Sequence, residues 1–210
     1  SLSLAMASGK PADSVEKLIG TQPPEWEVTN WINSAPLTLK ELRGKVVLVR
    51  WWTAPECPYC RATAPALNEF HKNYSPRGLQ VVGFYHHKGS EPLKLESVKK
   101  LSQDFGFKFP VAIDPEWKTL HRWWLDRGDE NWTSVSFLLD RKGAIRHIHP
   151  GGQYVKGDVA YEALEKKIRK NQFTLDDFKE QIKGMKKLGS FETILKMLPG
   201  MGSIKEQLKN

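Results

Sequence analysis

KVVLVRWWTAPECPYCR, running from Lys45 to Arg61, decides how the rest of this chain is read. Its first half, Lys45 to Trp52, is a short β-branched and aromatic run after Gly44, the pattern of a strand buried on both faces. Its second half sets Cys57-Pro58-Tyr59-Cys60 where that strand hands over to a helix. The helix is read from Ala66, Leu67, Phe70 and Tyr74 at helical spacing, stopped by Ser75-Pro76-Arg77-Gly78. The junction matters chemically. The first turn of a helix has unpaired N–H groups and the positive end of the helix dipole, which favour thiolate over thiol. Cysteines so placed titrate between about 3.5 and 7.5, against about 8.5 for the free residue. Cys57 is therefore the expected nucleophile, because thiolate is the attacking species. Cys60, one turn later on the same face, is expected to resolve the mixed disulfide. Pro58 at the first helical position gives up a donor that would be unpaired anyway. Two thiols merely buried in a core would explain neither the spacing nor the junction.

Outward from this stretch the patterns alternate. Leu79–Tyr85 reads as a strand, Pro92–Phe105 as a helix with Val98, Leu101 and Phe105 inward, Phe109–Asp114 as a short strand and Trp117–Leu125 as a helix. Val135–Asp140 and Ala144–His149 read as a hairpin around Arg141-Lys142-Gly143, and Tyr161–Lys170 closes the zone as a helix. The order βαβαβαββα predicts an α/β domain: a parallel core finished by an antiparallel hairpin, helices on both faces. Residues 1–25, polar and containing Gly and Pro, are expected to be loosely ordered. Ser1–Ser8 is either the remnant of a secretory signal ending at Ala5-Met6-Ala7 or simply a loose terminus.

Bulk properties narrow the choice of function. Both cysteines of the chain lie within this one motif, so neither a disulfide framework nor a zinc site fits well. No apolar run approaches the roughly 18–20 residues of a membrane span. The formal charge is +8, but eleven Lys/Arg against five Asp/Glu fall between Lys166 and Asn210. A nearly neutral body with a basic tail argues for two parts with different tasks and against a nucleic-acid-binding surface.

The blocks KVVLVRWWTAPECPYCRATAPALNEF (45–70), RGLQVVGFY (77–85), KFPVAIDPEWK (108–118) and SVSFLLDRKGAIRHIHPGG (134–152) resemble, in that order, the thioredoxin-like thiol–disulfide oxidoreductases of cytochrome maturation. The resemblance implies a thioredoxin-like fold over residues 26–170 and dithiol exchange with protein thiols or disulfides. It also implies Cys57 as nucleophile and Cys60 as resolving thiol, with Trp52, Pro58 and Tyr59 in support, no cofactor, and an exported or periplasmic location. The chain departs from that family twice. Ser134 stands where the family has a cis-proline beside the disulfide; a cis bond before a non-proline costs about 2.5–4 kcal/mol, so a trans peptide is expected there. The segment between Trp52 and Cys57 is one residue longer than usual. The P-x-x-x-[TS]-x-x-C signature of peroxiredoxins is missing before Cys57, which argues against peroxidase chemistry.

Two other constellations compete for attention. His86-His87, His147 and His149 could join the cysteines in a copper or zinc site, but histidines near strand ends are commonplace, and no metal is expected. Trp51, Trp52, Trp123, Trp124 and Trp132 could frame an apolar docking surface, although core packing explains most of them.

QFTLDDFKEQIKGMKKLGSFETILKMLPGMGSIKEQL, residues 172–208, differs in composition from what precedes it. Thr174 can cap a helix whose stripe is Leu175, Phe178, Ile182 and Met185; Phe191, Ile194, Leu195 and Leu198 make a second, broken by Pro199-Gly200. Neither stripe can be buried by its own helix alone. The segment resembles the first helix and the finger loop, LPGMG, of the methionine-rich M domain of the signal recognition particle GTPase, a cytosolic family. That resemblance implies a hydrophobic-peptide groove using Leu175, Phe178, Ile182, Met185, Leu195, Leu198 and Met201, since flexible Met adapts to varied shapes. Neither GTP hydrolysis nor RNA binding is expected, and the stripe could also drive self-association. The whole then reads as a thioredoxin-like domain with a C-terminal α-helical extension at 171–210, a chimera joined through the helix Tyr161–Lys170. It is either a redox enzyme carrying a peptide-binding appendage, or a scaffold presenting that appendage without redox turnover.

Overall fold

In the computed structural model of the chain, residues 13–28, 30–114, 116–127 and 131–172 are described. In chain order the elements are α1 (Asp13–Leu18), β1 (Asn30–Ile32), β2 (Val46–Trp52), α2 (Pro58–Tyr74), β3 (Leu79–Tyr85) and α3 (Leu95–Asp104). They continue as β4 (Val111–Ile113), α4 (Lys118–Trp123), β5 (Val135–Leu139), β6 (Ile145–Pro150) and α5 (Val159–Gln172). The C-terminal stripe, Leu175, Phe178, Ile182, Met185, Leu195, Leu198 and Met201, lies outside the described residues. The chain divides into two units, 1–172 and 173–210.

One six-stranded sheet, in the order β1-β4-β3-β2-β5-β6, organises the first unit. β2, β3 and β4 run parallel, β5 lies antiparallel to β2, and β6 antiparallel to β5, as the order of patterns predicts. Every residue of β2 is buried, which requires a layer on each face. Alternation sorts its side chains. Val46, Leu48 and Trp52 join Phe70 of α2, Val98 of α3 and Leu164 and Ile168 of α5. Val47, Val49 and Trp51 join Trp26, Leu39, Trp123 and Phe137 on the other side. Arg50 falls by the same alternation between Leu48 and Trp52, in the layer under α2 and α5.

Two features lay beyond the patterns. β1 is only three residues long and shows no alternation; it is a strand because it pairs antiparallel with the open edge of β4, Trp31 opposite Ala112. Residues just before Trp26 are tied down, although their composition suggested looseness. Gly20 N–H donates to Ile145 O at 2.8 Å, Ile145 N–H returns to Thr21 O at 2.9 Å, and Trp123 Nε1–H donates to Pro24 O at 3.0 Å. Val15 and Leu18 pack on the second core layer. These contacts are long-range, so no local rule shows them.

Candidate active site

β2 delivers the site to the top of the sheet. After Trp52 the chain passes Thr53 and Ala54, both nearly buried, and turns at Pro55, whose peptide bond with Ala54 is cis. Cys57 is the N-cap of α2, in extended backbone, and Pro58 opens the helix. Cys57 and Cys60 form a disulfide with their Cα atoms 5.2 Å apart, and Cys60 N–H donates to Cys57 Sγ at 3.1 Å. That bond is a helix cap in which sulfur does what a hydroxyl usually does. The two sulfurs differ in access: Cys57 is half-buried, whereas Cys60 is 2% exposed. Pro58 and Tyr59 are exposed on the outer side.

Ser134 reaches the disulfide from the loop before β5. Its Oγ stands 3.4 Å from Cys60 Sγ and 3.9 Å from Cys57 Sγ, and its peptide bond is trans. Trp52 lies wholly inside, its ring against Tyr85, Phe105 and Phe107 at 5.1, 5.4 and 5.2 Å between centroids. It lies within the core and offers no surface.

Arg50 is the residue that reading the sequence passed over. Its side chain is wholly buried. Nη1 donates to Ser134 O at 3.3 Å and to Ser136 Oγ at 3.4 Å, Nη2 donates to Gly152 O at 2.8 Å, and the guanidinium lies 5.4 Å from the centre of the Tyr154 ring. Nε has no partner, and no carboxylate among the described residues pairs with this cation. The signal was present: a charged residue inside VVLVRWW must either escape to the strand end or find acceptors within.

The histidines are dispersed by the fold. His86 is buried edge-on to Trp117, and burial pulls its pKa down to about 3. His147 and His149 are neighbours on β6, each drawn down to about 4, mainly by burial. Among the described residues no three His, Cys, Asp or Glu side chains are gathered to hold a metal ion. Of the tryptophans suspected of framing a surface, Trp51, Trp52, Trp123 and Trp124 are core residues. Trp132 is 53% exposed, two residues from Ser134, and its ring covers Gly151 so closely that a Cβ there would stand 2.3 Å from it.

Comparison with known proteins bears on both parts of the chain. Residues 19–148 match the AhpC/TSA family, and residues 155–210 match the signal peptide binding domain. The protein DipZ of Mycobacterium bovis is 30% identical over 167 residues, which are 78% of this chain but only 22% of DipZ. The thiol-disulfide oxidoreductase ResA of Bacillus anthracis is 26% identical over 159 residues, covering 76% of this chain and 82% of ResA. The signal recognition particle protein of Helicobacter pylori is 47% identical over 47 residues, 22% of this chain and 10% of that protein. Among solved structures, a putative thiol:disulfide interchange protein DsbE from Chlorobium tepidum superposes with a TM-score of 0.60 at 25% identity, over 74% of this chain and 98% of that one. No described helix is long and apolar enough to cross a membrane.

Proposed function

We propose, from the premise that this chain belongs to the AhpC/TSA family, that it exchanges thiols and disulfides with protein substrates through Cys57 and Cys60. The observation that carries the reading is the asymmetry of the two sulfurs: a reachable Cys57 at a helix N-terminus and a sequestered Cys60 one turn on. In one direction Cys57 thiolate attacks a substrate disulfide, and the departing substrate sulfur takes a proton. Cys60 then attacks Cys57 Sγ, releasing the substrate as a dithiol and closing the Cys57–Cys60 bond; the reverse sequence oxidises a substrate dithiol. Pro58 sets the first turn, Trp52 holds the strand end, and Ser134 faces the sulfurs. Tyr59, inside the CPYC turn, and Trp132, two residues before Ser134, are each about half exposed and suit a docking rim for an unfolded segment. Dithiol chemistry of this kind favours an exported or periplasmic setting for the redox unit, where disulfides persist.

The experiment is insulin reduction driven by a chemical dithiol, with the full chain and its Cys57→Ser and Cys60→Ser variants. The full chain is expected to accelerate precipitation and Cys57→Ser to abolish the effect. Cys60→Ser should accumulate a mixed disulfide visible by mass spectrometry. Activity that survives both substitutions overturns the reading.

A second reading concerns residues 155–210, favoured by their match to the signal peptide binding domain. Here the redox unit carries a segment that captures hydrophobic helical peptides, or pairs with a second copy, through Leu175, Phe178, Ile182, Met185, Leu195, Leu198 and Met201. A fluorescent signal-sequence peptide should bind the full chain and not a chain ending at Gln172. Equal binding to both, with the same oligomeric state by light scattering, counts against it.

A further inference from the structure

Arg50 is a buried cation with no anionic partner among the described residues. Taking a guanidinium out of water is costly, and the interior repays it only through well-made partners. Its hydrogen-bonding partners are neutral: the carbonyls of Ser134 and Gly152 and the hydroxyl of Ser136. The surrounding groups do not supply the missing charge. Ser136 lies opposite Arg50 across β2 and β5, and His149 opposite Ser136 across β5 and β6, so the three form a row. His149 and His86, after β3, both feel the arginine's charge and, drawn down to about 4 and about 3, are neutral near neutral pH. Tyr154 is pushed up by burial and keeps its proton. Asp158, before α5, acts on His149, and Lys88 on His86. From α2, Arg61 lies over Phe105 and Glu69 pairs with Lys156. What does lie two contacts away is the disulfide, through one residue. Ser134 gives its carbonyl to Arg50 and its hydroxyl to Cys60 Sγ.

We propose that Arg50 is a positioning residue of the redox centre: the buried counter-charge, relayed by Ser134, of the thiolate that appears at Cys60 when the disulfide opens. The inference rests on the dithiol reading above and gives it a direction, oxidation of protein dithiols. A substrate thiolate attacks Cys57 Sγ, a substrate–Cys57 bond forms, the Cys57–Cys60 bond breaks, and Cys60 leaves as thiolate. The second substrate thiolate attacks the substrate sulfur of that mixed disulfide and expels Cys57. Two electrons pass from the substrate dithiol to the chain. Of the two protons lost by the substrate, one stays on the Cys57–Cys60 pair and one goes to solvent. A leaving thiol of lower pKa departs faster, and a stabilised reduced form makes the disulfide the stronger oxidant. In the oxidised chain no described carboxylate compensates Arg50, and reduction supplies the compensation in a medium of low dielectric, where it counts most.

Two readouts on the full chain test this: the ultraviolet titration of thiolate in the reduced protein, and the equilibrium of the pair with glutathione across pH. The wild-type pair should titrate at least about one unit below the free-thiol value of about 8.5. Arg50→Met should raise that titration and move the glutathione equilibrium at least about tenfold toward the oxidised chain, while Arg50→Lys, which keeps the charge, retains most of the wild-type values. Ser136→Asp, which gives Arg50 a permanent carboxylate, should act in the same sense as Arg50→Met and decides the matter alone if Arg50→Met does not fold. A wild-type pair titrating at or above the free-thiol value overturns the proposal without any variant. So do variants whose equilibrium stays within about twofold of the wild type. Neither readout needs a protein substrate. With these shifts intact, failure to accelerate both insulin reduction and the oxidation of a reduced protein would remove the substrate reading and leave Arg50 in its role.

Discussion

Gly83 shows how tightly single residues are placed around the site. It lies in β3 opposite Arg50, and a Cβ there would stand 3.0 Å from Trp52 Nε1 and 3.3 Å from the Phe109 ring. Trp52 can lie beneath the CPYC turn only because its neighbour has no side chain. Gly83→Ala is expected to overpack this contact and cost about 1–3 kcal/mol. Urea unfolding should show a lower midpoint with an unchanged slope, and an unchanged midpoint would refute the close fit. At this scale the cysteines were legible because their spacing and strand–helix position are local facts. Arg50 was not. Whether an arginine in a strand escapes or stays depends on what stands opposite, and Ser134 O and Gly152 O are 84 and 102 residues away.

Among the elements, α2 was the easiest to read and α5 the least settled by pattern. α2 carries its own start, Cys57 as cap and Pro58 in the first turn. α5 lies beyond the AhpC/TSA match, which ends at residue 148, and inside the second match, which opens at residue 155. The packing assigns its apolar face. Tyr161 stacks on Phe70 at 4.7 Å, Leu164 and Ile168 are buried in the same core layer, and Glu165 and Arg169 join Tyr74 at its hydroxyl. Gln172 ends the helix with Nε2 donating to Tyr74 O. With that face occupied by the sheet, α5 serves as the closing helix of the redox unit, in keeping with a junction made through it. β1 and α1 were missed for the opposite reason, being short elements stabilised by distant partners.

For the molecule as a whole, the buried His86 and the half-buried His147 and His149, all neutral when folded, set a sensitivity to acid. His86, His147 and His149 titrate near 3, 4 and 4 when folded, against about 6.5 in an unfolded chain. Between these values the unfolded chain binds the more protons, so their contribution is complete above about pH 6.5 and is lost as pH falls through the folded values. Asp140 and Glu165, held below their usual range, extend the loss at lower pH; Asp114, raised by burial, opposes it in the carboxylate range. Urea midpoints of the 1–172 unit should therefore fall steadily from about pH 7 to about pH 4.5. A flat profile would mean that the histidines are not held neutral inside.

The sequence by itself determined the α/β class, the parallel core with its hairpin, and the CPYC motif at a helix start. Each of these follows from periodicity, spacing or composition, properties that a short window of residues carries alone. The tertiary structure alone decided which sulfur is sheltered, that Ser134 meets both sulfurs, that four tryptophans are core and one is exposed, and that Arg50 is buried without a counter-charge among the described residues. Those are facts about burial and about partners distant in the chain, and they exist only once the sheet has brought β2, β5 and β6 side by side.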